Sequence, residues 1–190
     1  ARMKWVRRIL IGIVAVVVLA VLGLWLGGFR NGAGINSATI DISRPPAQVW
    51  RYLTNDDLVK KWVSGLTEIH HLTPGVEGVG DRIEMTVVMD GERTDMEMEI
   101  TAFVPNRQIG FKVKSIGHPS MGFTETGEYA IVEQDHNTLL TLTGQSKYYP
   151  FWLQLMEPLV TPMAQKKLEG DLARLKSLVE AEPRMADVTR

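Results

Sequence analysis

The spacing of apolar and polar positions along this chain falls into three regimes: an unbroken apolar run, a long stretch alternating with a period of two, and a closing stretch spaced by three and four. Residues 9–29 (ILIGIVAVVVLAVLGLWLGGF) are twenty-one consecutive positions without a charge. As a helix they cover about 30 Å, the thickness of a bilayer's hydrocarbon core, so the pattern predicts one membrane-spanning helix. Arg2, Lys4, Arg7 and Arg8 precede the run, Arg30 follows it, and Trp5, Trp25 and Phe29 stand where an aromatic belt would lie. By the positive-inside rule the N-terminus is expected in the cytoplasm and the rest of the chain outside, a single-pass protein of the cell membrane. A cleaved signal peptide is the alternative, but the run exceeds a usual signal core and Asn31-Gly32-Ala33-Gly34 is a poor cleavage site.

Residues 30–37 read as a short polar tether, roughly 20 Å at full stretch, that keeps the following domain close to the bilayer. Residues 39–42 look like a first strand, and Pro45-Pro46 suits the opening turn of a helix carrying Val49, Trp50 and Leu53 on one face. Asn55 can cap a second short helix over 56–63, with acids in its first turn and Leu58 and Trp62 buried. A glycine-rich loop (TPGVEGVGD, 73–81) then leads into alternation.

In VVMDGERTDMEMEI (87–100) methionine and acid alternate one for one, beside an Asp90-Gly91 turn that is a strong signal for a two-residue hairpin. That turn sets Met89 opposite Glu92, Val87 opposite Thr94, Met85 opposite Met96 and Ile83 opposite Met98. Arg82 then faces Glu99, and Glu84 faces Glu97. If the turn Val104-Pro105-Asn106-Arg107 closes a two-residue loop of type I, Ile100 meets Phe111, Met98 meets Val113, Glu99 meets Lys112 and Glu97 meets Lys114. The carboxylates thus belong to an outer, solvated charge ladder. The apolar series Ile83, Met85, Val87, Met96, Met98, Ile100, Phe111 and Val113 belongs to the inner face.

Two further strands are expected near 123–133 and 138–147, joined by a turn at 134–137. Their facing is ambiguous, because Leu139 and Leu140 are adjacent. If Tyr129 and Ile131 point inward, parity carries Glu125 inward too; the other possibility places Glu125 at a sheet edge, paired with a lysine. Pro150 opens a short aromatic turn (PFWLQLMEP) that Pro158 and Pro162 interrupt. From residue 161 a longer helix runs to about 182, with Leu168, Leu172, Leu175 and Val179 at spacings of three and four.

Composition changes this picture in two places. The formal net charge is −1, yet all 22 acids lie beyond residue 40 and five of the 21 basic residues lie at or before Arg30. The part beyond Arg30 therefore holds 16 basic against 22 acidic side chains, which argues against a nucleic-acid module. Cysteine is absent, which removes disulfides, thiolate metal sites and a cysteine nucleophile.

A strand, two short helices, a run of antiparallel strands and a long C-terminal helix is the order found in the START-like, Bet v 1-like superfamily. IDISRPPAQVWRYLTN followed by LVKKW, the approach GVGDRIEM, and the ending LEGDLARLKSLVEAE resemble its polyketide cyclase/dehydrase and lipid-transport branch. The likeness covers about 38–182, leaving a basic N-terminus (1–8), the apolar helix (9–29), the tether (30–37) and a polar tail (183–190). It implies an α+β helix-grip: a curved antiparallel sheet wrapped around the C-terminal helix, with a cavity between them for an apolar small molecule.

Under that resemblance the ligand-binding candidates are Met85, Val87, Met96, Met98, Ile100, Phe111, Val113 and Tyr129, faced by Trp152, Met156, Leu159 and Met163 from the C-terminal segment. Methionine, unbranched and polarisable, suits a pocket of variable shape, although such a stripe also fills ordinary cores. The loops 73–80 and 115–122 have the glycine content of lips at a pocket mouth. The aromatics Tyr148, Tyr149, Phe151 and Trp152 either pack inside the grip or rest at headgroup level.

Candidate chemistry is sparse. His70 and His71 are adjacent and would point to opposite faces of a strand, His118 and His136 fall in loops, and no spacing with acids marks a metal or catalytic site. All four read as surface histidines, and no cofactor is expected. Glu125 is the weak catalytic candidate, since burial would raise its pKa, with Tyr129 as a phenol able to orient a polar group. Three functions follow: membrane-anchored carriage or presentation of a lipid, quinone or polyketide-like molecule; a cyclase or dehydratase using Glu125 and Tyr129; or an accessory subunit of a larger membrane complex.

Overall fold

The computed structural model of the chain describes residues 2–29, 34–117 and 122–184. Its elements are α1 (Arg2–Phe29), β1 (Gly34–Ile42), α2 (Pro46–Thr54), α3 (Asp56–Trp62), β2 (Leu66–His71), β3 (Arg82–Met89), β4 (Glu92–Val104), β5 (Gln108–Ile116), β6 (Gly122–Gln134), β7 (Asn137–Tyr149), α4 (Phe151–Leu155) and α5 (Glu157–Ala181). The strands form one antiparallel sheet in the order β1-β7-β6-β5-β4-β3-β2, a meander whose last strand is joined by the first. The sheet curves around α5, giving the α+β helix-grip.

The sequence reading of the hairpins meets the register pair for pair. Met85 lies opposite Met96 and Ile83 opposite Met98, across a turn in which Asp90 and Gly91 both take positive φ, as a type I′ turn requires. Between β4 and β5 the pairs Ile100–Phe111, Met98–Val113 and Glu97–Lys114 are also present, but by a different route. The loop holds three residues between the paired Val104 and Gln108, and a bulge between Ile100 and Ala102 absorbs the extra one. Asn106, at φ 61, follows proline in the position where a type II turn demands positive φ, so the expected type I turn is corrected.

Other boundaries also move. Part of the expected tether, from Gly34 onward, is strand, because it pairs with β7 as far as Ser146. β2, which the reading left without an assignment, pairs with β3. Pro158 and Pro162 do not interrupt α5: one falls in its opening turn, where the amide has no helical partner to lose, and the other is carried inside the helix. Asn55 caps α3 as expected, its Oδ1 accepting from the Leu58 amide at 3.1 Å.

Packing is concentrated at one end. Ile42, Val49, Leu140, Leu172, Leu175 and Val179 are sealed from solvent to within 1%. The C-terminus of α5 is tied down by side chains from the β1–α2 corner. Arg44 donates to the carbonyls of Glu180 and Glu182, Gln48 Nε2 donates to Pro183 O at 3.1 Å, and the Tyr52 hydroxyl donates to Glu182 Oε1 at 2.7 Å. The Arg44 and Gln48 bonds satisfy carbonyls at and just past the helix end, and the Tyr52 bond holds the carboxylate of the capping Glu182.

Helix α1 neighbours α4 and α5, and its described side chains from Ile9 to Leu22 are exposed. Among the described residues no helix is long and apolar enough to cross a membrane. The side chains of Trp5, Trp25 and Phe29, and residues 30–33, lie outside those described. Replacing Leu175 by alanine is expected to cost about 2–5 kcal/mol of stability, read as a lowered urea midpoint with unchanged slope.

Candidate functional site

Where α5 leaves the sealed end, its contact with the sheet opens into a cavity of about 950 Å³. That lies toward the top of the roughly 300–1,000 Å³ range of small-molecule sites. The alternation in β3, β4 and β5 supplies one wall, so Met85, Val87, Met96, Met98, Ile100, Phe111 and Val113 all line it, with Ile83 beside them. Tyr129 from β6 and Trp50, Leu53 and Trp62 from the short helices complete the apolar part.

The four residues expected from the C-terminal segment do not. Trp152, Met156, Leu159 and Met163 are 52%, 40%, 56% and 72% exposed, and none lines the cavity. The reason is helical phase. The stripe Leu168, Leu172, Leu175 and Val179 fixes which side of α5 meets the sheet, and continued toward the N-terminus it passes through Ala164, whereas 152, 156, 159 and 163 form a second apolar stripe turned outward. For Trp152 this also decides against packing inside the grip; Tyr148 is half-buried beside Phe123, and the Phe151 side chain lies outside those described.

Glu125 points inward. Its register opposite Ser146 places it on the concave face, where Oε2 accepts from Ser146 Oγ at 3.0 Å. Among the described residues no lysine at a sheet edge pairs with it. Burial pushes its pKa above the ordinary carboxylate value, against the opposing effects of the Ser146 bond and of Lys167. Glycine at 144 makes room for it, since a Cβ there would lie 2.6 Å from Glu125 Oε1. Tyr129 is half-buried against the core and faces the cavity, and burial, then the nearby charges of Glu125 and Asp171, raise its pKa. Lys167 reaches the wall from α5, its ammonium 2.7 Å from Asp171 Oδ2.

The outer face carries the charges removed from the inner one. Glu97 accepts from Arg82 Nε at 2.9 Å and pairs with Lys114 at 3.0 Å; the hydrogen bond from Arg82, then that from Lys114, lowers its pKa. Arg82 reaches diagonally past its cross-strand neighbour Glu99 to make this bond.

One constellation escaped the sequence reading. His71, taken as a surface histidine, stands at the cavity wall with Nδ1 2.8 Å from Asp81 Oδ2 and Nε2 3.3 Å from Asp56 Oδ2. Its three members come from β2, the loop before β3, and the first turn of α3, separations that no local spacing displays. Asp81 is buried and also accepts from Thr73 Oγ1 at 2.8 Å. Burial pulls the imidazole pKa down, but the hydrogen bonds to Asp81 and Asp56 outweigh it and leave the value above 6.5. Glu77 and Gly78 of the glycine-rich loop line the same end of the cavity. Of the other histidines, His70 and His136 are exposed and His118 lies outside the described residues, as does part of the loop 115–122. Among the described residues no group of three or more metal-ligating side chains converges.

A family model described as "Polyketide cyclase / dehydrase and lipid transport" matches residues 36–180. No curated protein sequence matches the chain. Among solved structures, an aromatase/cyclase from Streptomyces sp. R1128 superposes with a TM-score of 0.64 at 17% identity, covering 82% of this chain and 98% of its own. A conserved protein from Geobacillus kaustophilus gives 0.66 at 14% identity, covering 77% and 95%. Ara h 8.0201 gives 0.61 at 14% identity, covering 80% and 100%. At these identities the likeness establishes the fold.

The clasp at His71 has a pH signature. With its folded pKa raised, its stabilising contribution is fully present below about pH 6.5 and is lost as pH rises through the folded value. Thermal melts between pH 5.5 and 8.5 should show stability falling with pH in the parent chain, with that part of the slope absent from His71→Gln.

Proposed function

Because the chain belongs to the polyketide cyclase/dehydrase and lipid-transport family, we propose that it is a membrane-anchored binding protein for an apolar small molecule of the lipid, quinone or polyketide-like class. The observation that carries this reading is the cavity: about 950 Å³ bounded by methionines, aromatics and branched aliphatics, with its few polar groups gathered at particular places. A core stripe that merely filled its own space would leave no such volume, since interiors normally close-pack. Methionine on three paired strand positions gives the wall side chains that re-pack around guests of different outline.

Anchoring is supported by the charge-free run 9–29 and by the exposed apolar side chains of α1 from Ile9 to Leu22, which meet no covering partner among the described residues. With α1 in the bilayer, its neighbours α4 and the start of α5 lie at the lipid surface, and the outward stripe of Trp152, Met156, Leu159 and Met163 rests among headgroups. The guest then passes between leaflet and cavity over a short path, with the domain on the extracytoplasmic side.

A cyclase or dehydratase is the second reading, favoured by one observation: Glu125 and Tyr129 both stand on the cavity wall, the carboxyl with its pKa raised by burial. The fold likeness to an aromatase/cyclase is compatible with it.

Native mass spectrometry of the full chain released from lipid nanodiscs should find a bound apolar mass, and Met98→Trp, which fills the centre of the wall, should reduce uptake at least about tenfold. A protein that is always free of guest and takes up neither lipid nor quinone would sink the binding reading. In membrane fractions the chain should resist alkaline extraction. Placing arginine at both Val16 and Val17 should release it, each charge costing about 2.5–3.5 kcal/mol at a helix centre.

A further inference from the structure

The polar groups of the cavity are not evenly spread, and their chemistry is lopsided. Asn36 on β1 is only 8% exposed, lines the cavity, and leaves its amide Oδ1 without a hydrogen-bond partner among the described residues. Its cross-strand neighbour is Gly144, the residue whose missing Cβ leaves room for the Glu125 carboxyl. Asn36 and Glu125 therefore flank the same glycine. Glu125 Oε2 takes one bond from Ser146, and Oε1 has no donor among the described residues. Two acceptor groups thus meet at one place on an otherwise apolar wall.

Among the described residues the one cation that acts on Glu125 is Lys167, and its ammonium is already engaged. The wall's bases are His71, held by two aspartates at the mouth, and Lys167, whose ammonium sits on Asp171. The remaining charged side chains of the wall are acids, and Arg82, Lys112 and Lys114 belong to the outer face. An anionic head entering this space would find carboxylates and an occupied lysine, and would lose its hydration without replacement. A donor finds the opposite: a carboxyl oxygen and an amide oxygen that take no hydrogen bond from the described residues.

Resting on the binding reading above, we propose that the guest is an apolar molecule whose single polar end is a hydrogen-bond donor, a hydroxyl or an amine, seated between Asn36 and Glu125, and that carboxylate-headed molecules are refused. The apolar body lies along Met98, Met96 and Met85, and the donor end lies deep, under α5. A hydroxyl gives one hydrogen bond and stays neutral. An amine gives the same bond and adds a positive charge beside Glu125, where Lys167 is shared with Asp171.

The test is a matched set of twelve-carbon probes titrated calorimetrically into the full chain in zwitterionic nanodiscs, with protein-free nanodiscs subtracted: dodecane, dodecanol, dodecylamine and dodecanoate at pH 7.5. Dodecanol or dodecylamine should bind at least about tenfold tighter than dodecanoate, and whichever of the two is tighter identifies the head. Asn36→Ala should weaken the donor-headed probes about fivefold or more and leave dodecane unchanged. Glu125→Gln, which keeps shape and removes the charge, should narrow the gap to dodecanoate. Dodecanoate binding as tightly as dodecanol, or dodecane matching dodecanol, overturns the assignment while leaving the binding reading intact. Uptake of none of the four overturns both.

Discussion

The structure depends on how α5 is held: sealed into the core at its C-terminal end, and tied toward its N-terminus to β1, where Gln165 bonds both the amide and the carbonyl of Ser37. At its C-terminus the helix buries Leu172, Leu175 and Val179 against Ile42, Val49 and Leu140, its last carbonyls accept from Arg44 and Gln48, and Tyr52 holds the carboxylate of Glu182. Each buried aliphatic side chain contributes about 1.5–3 kcal/mol through removal from water. Toward the N-terminus the residues facing the cavity are Ala164, Lys167, Leu168 and Asp171, only one of them a large apolar side chain. Held at its C-terminal end and along β1, the helix leaves a gap from the methionine-bearing strands β3 and β4 and their neighbour β5, and the cavity occupies that gap. Hollowness is thus a consequence of where the apolar contacts were placed along one helix.

The same distribution explains why methionine and glutamate alternate in β4. A strand sends successive side chains to opposite faces, so one stretch can serve a guest and the solvent at once. On the concave side Met96 and Met98 present thioethers to the cavity; on the convex side Glu97 sits between Arg82 and Lys114. The pairing also matters for sheet stability, since Glu84 and Glu97 face each other and would repel without those cations. Charge on the outer face leaves the inner face free to be apolar.

Much of this was legible in the sequence because period and turn chemistry are local. Asp90-Gly91 named its own register. The β4–β5 register was reached through two compensating departures, a three-residue loop and a one-residue bulge, so the pairs were right while the turn was wrong. Inward parity of Glu125 followed from Tyr129 and Ile131, but sequence alone could not choose between cavity and sheet edge, because that depends on which strand lies beside β6. The misreading of Trp152, Met156, Leu159 and Met163 has a different origin. Two apolar stripes coexist on the C-terminal segment, and apolar content does not say which faces the sheet; the phase of the better-buried stripe does. His71 was out of reach altogether, since Asp56 and Asp81 approach it only once α3, β2 and the loop before β3 are folded together.

Polar groups inside such a cavity carry more information than its apolar lining. Apolar walls are degenerate, because core and pocket use the same side chains. A carboxyl that burial holds above its ordinary pKa, beside an amide with an unpartnered oxygen, is a standing cost in a protein whose net stability is only about 5–15 kcal/mol. Leucine at 36 and 125 would pack there without that cost, and Gly144 would not need to be a glycine to clear Glu125. A guest whose end group donates, as proposed above, would complement the arrangement: its apolar body would meet the methionines and its polar end the acceptors.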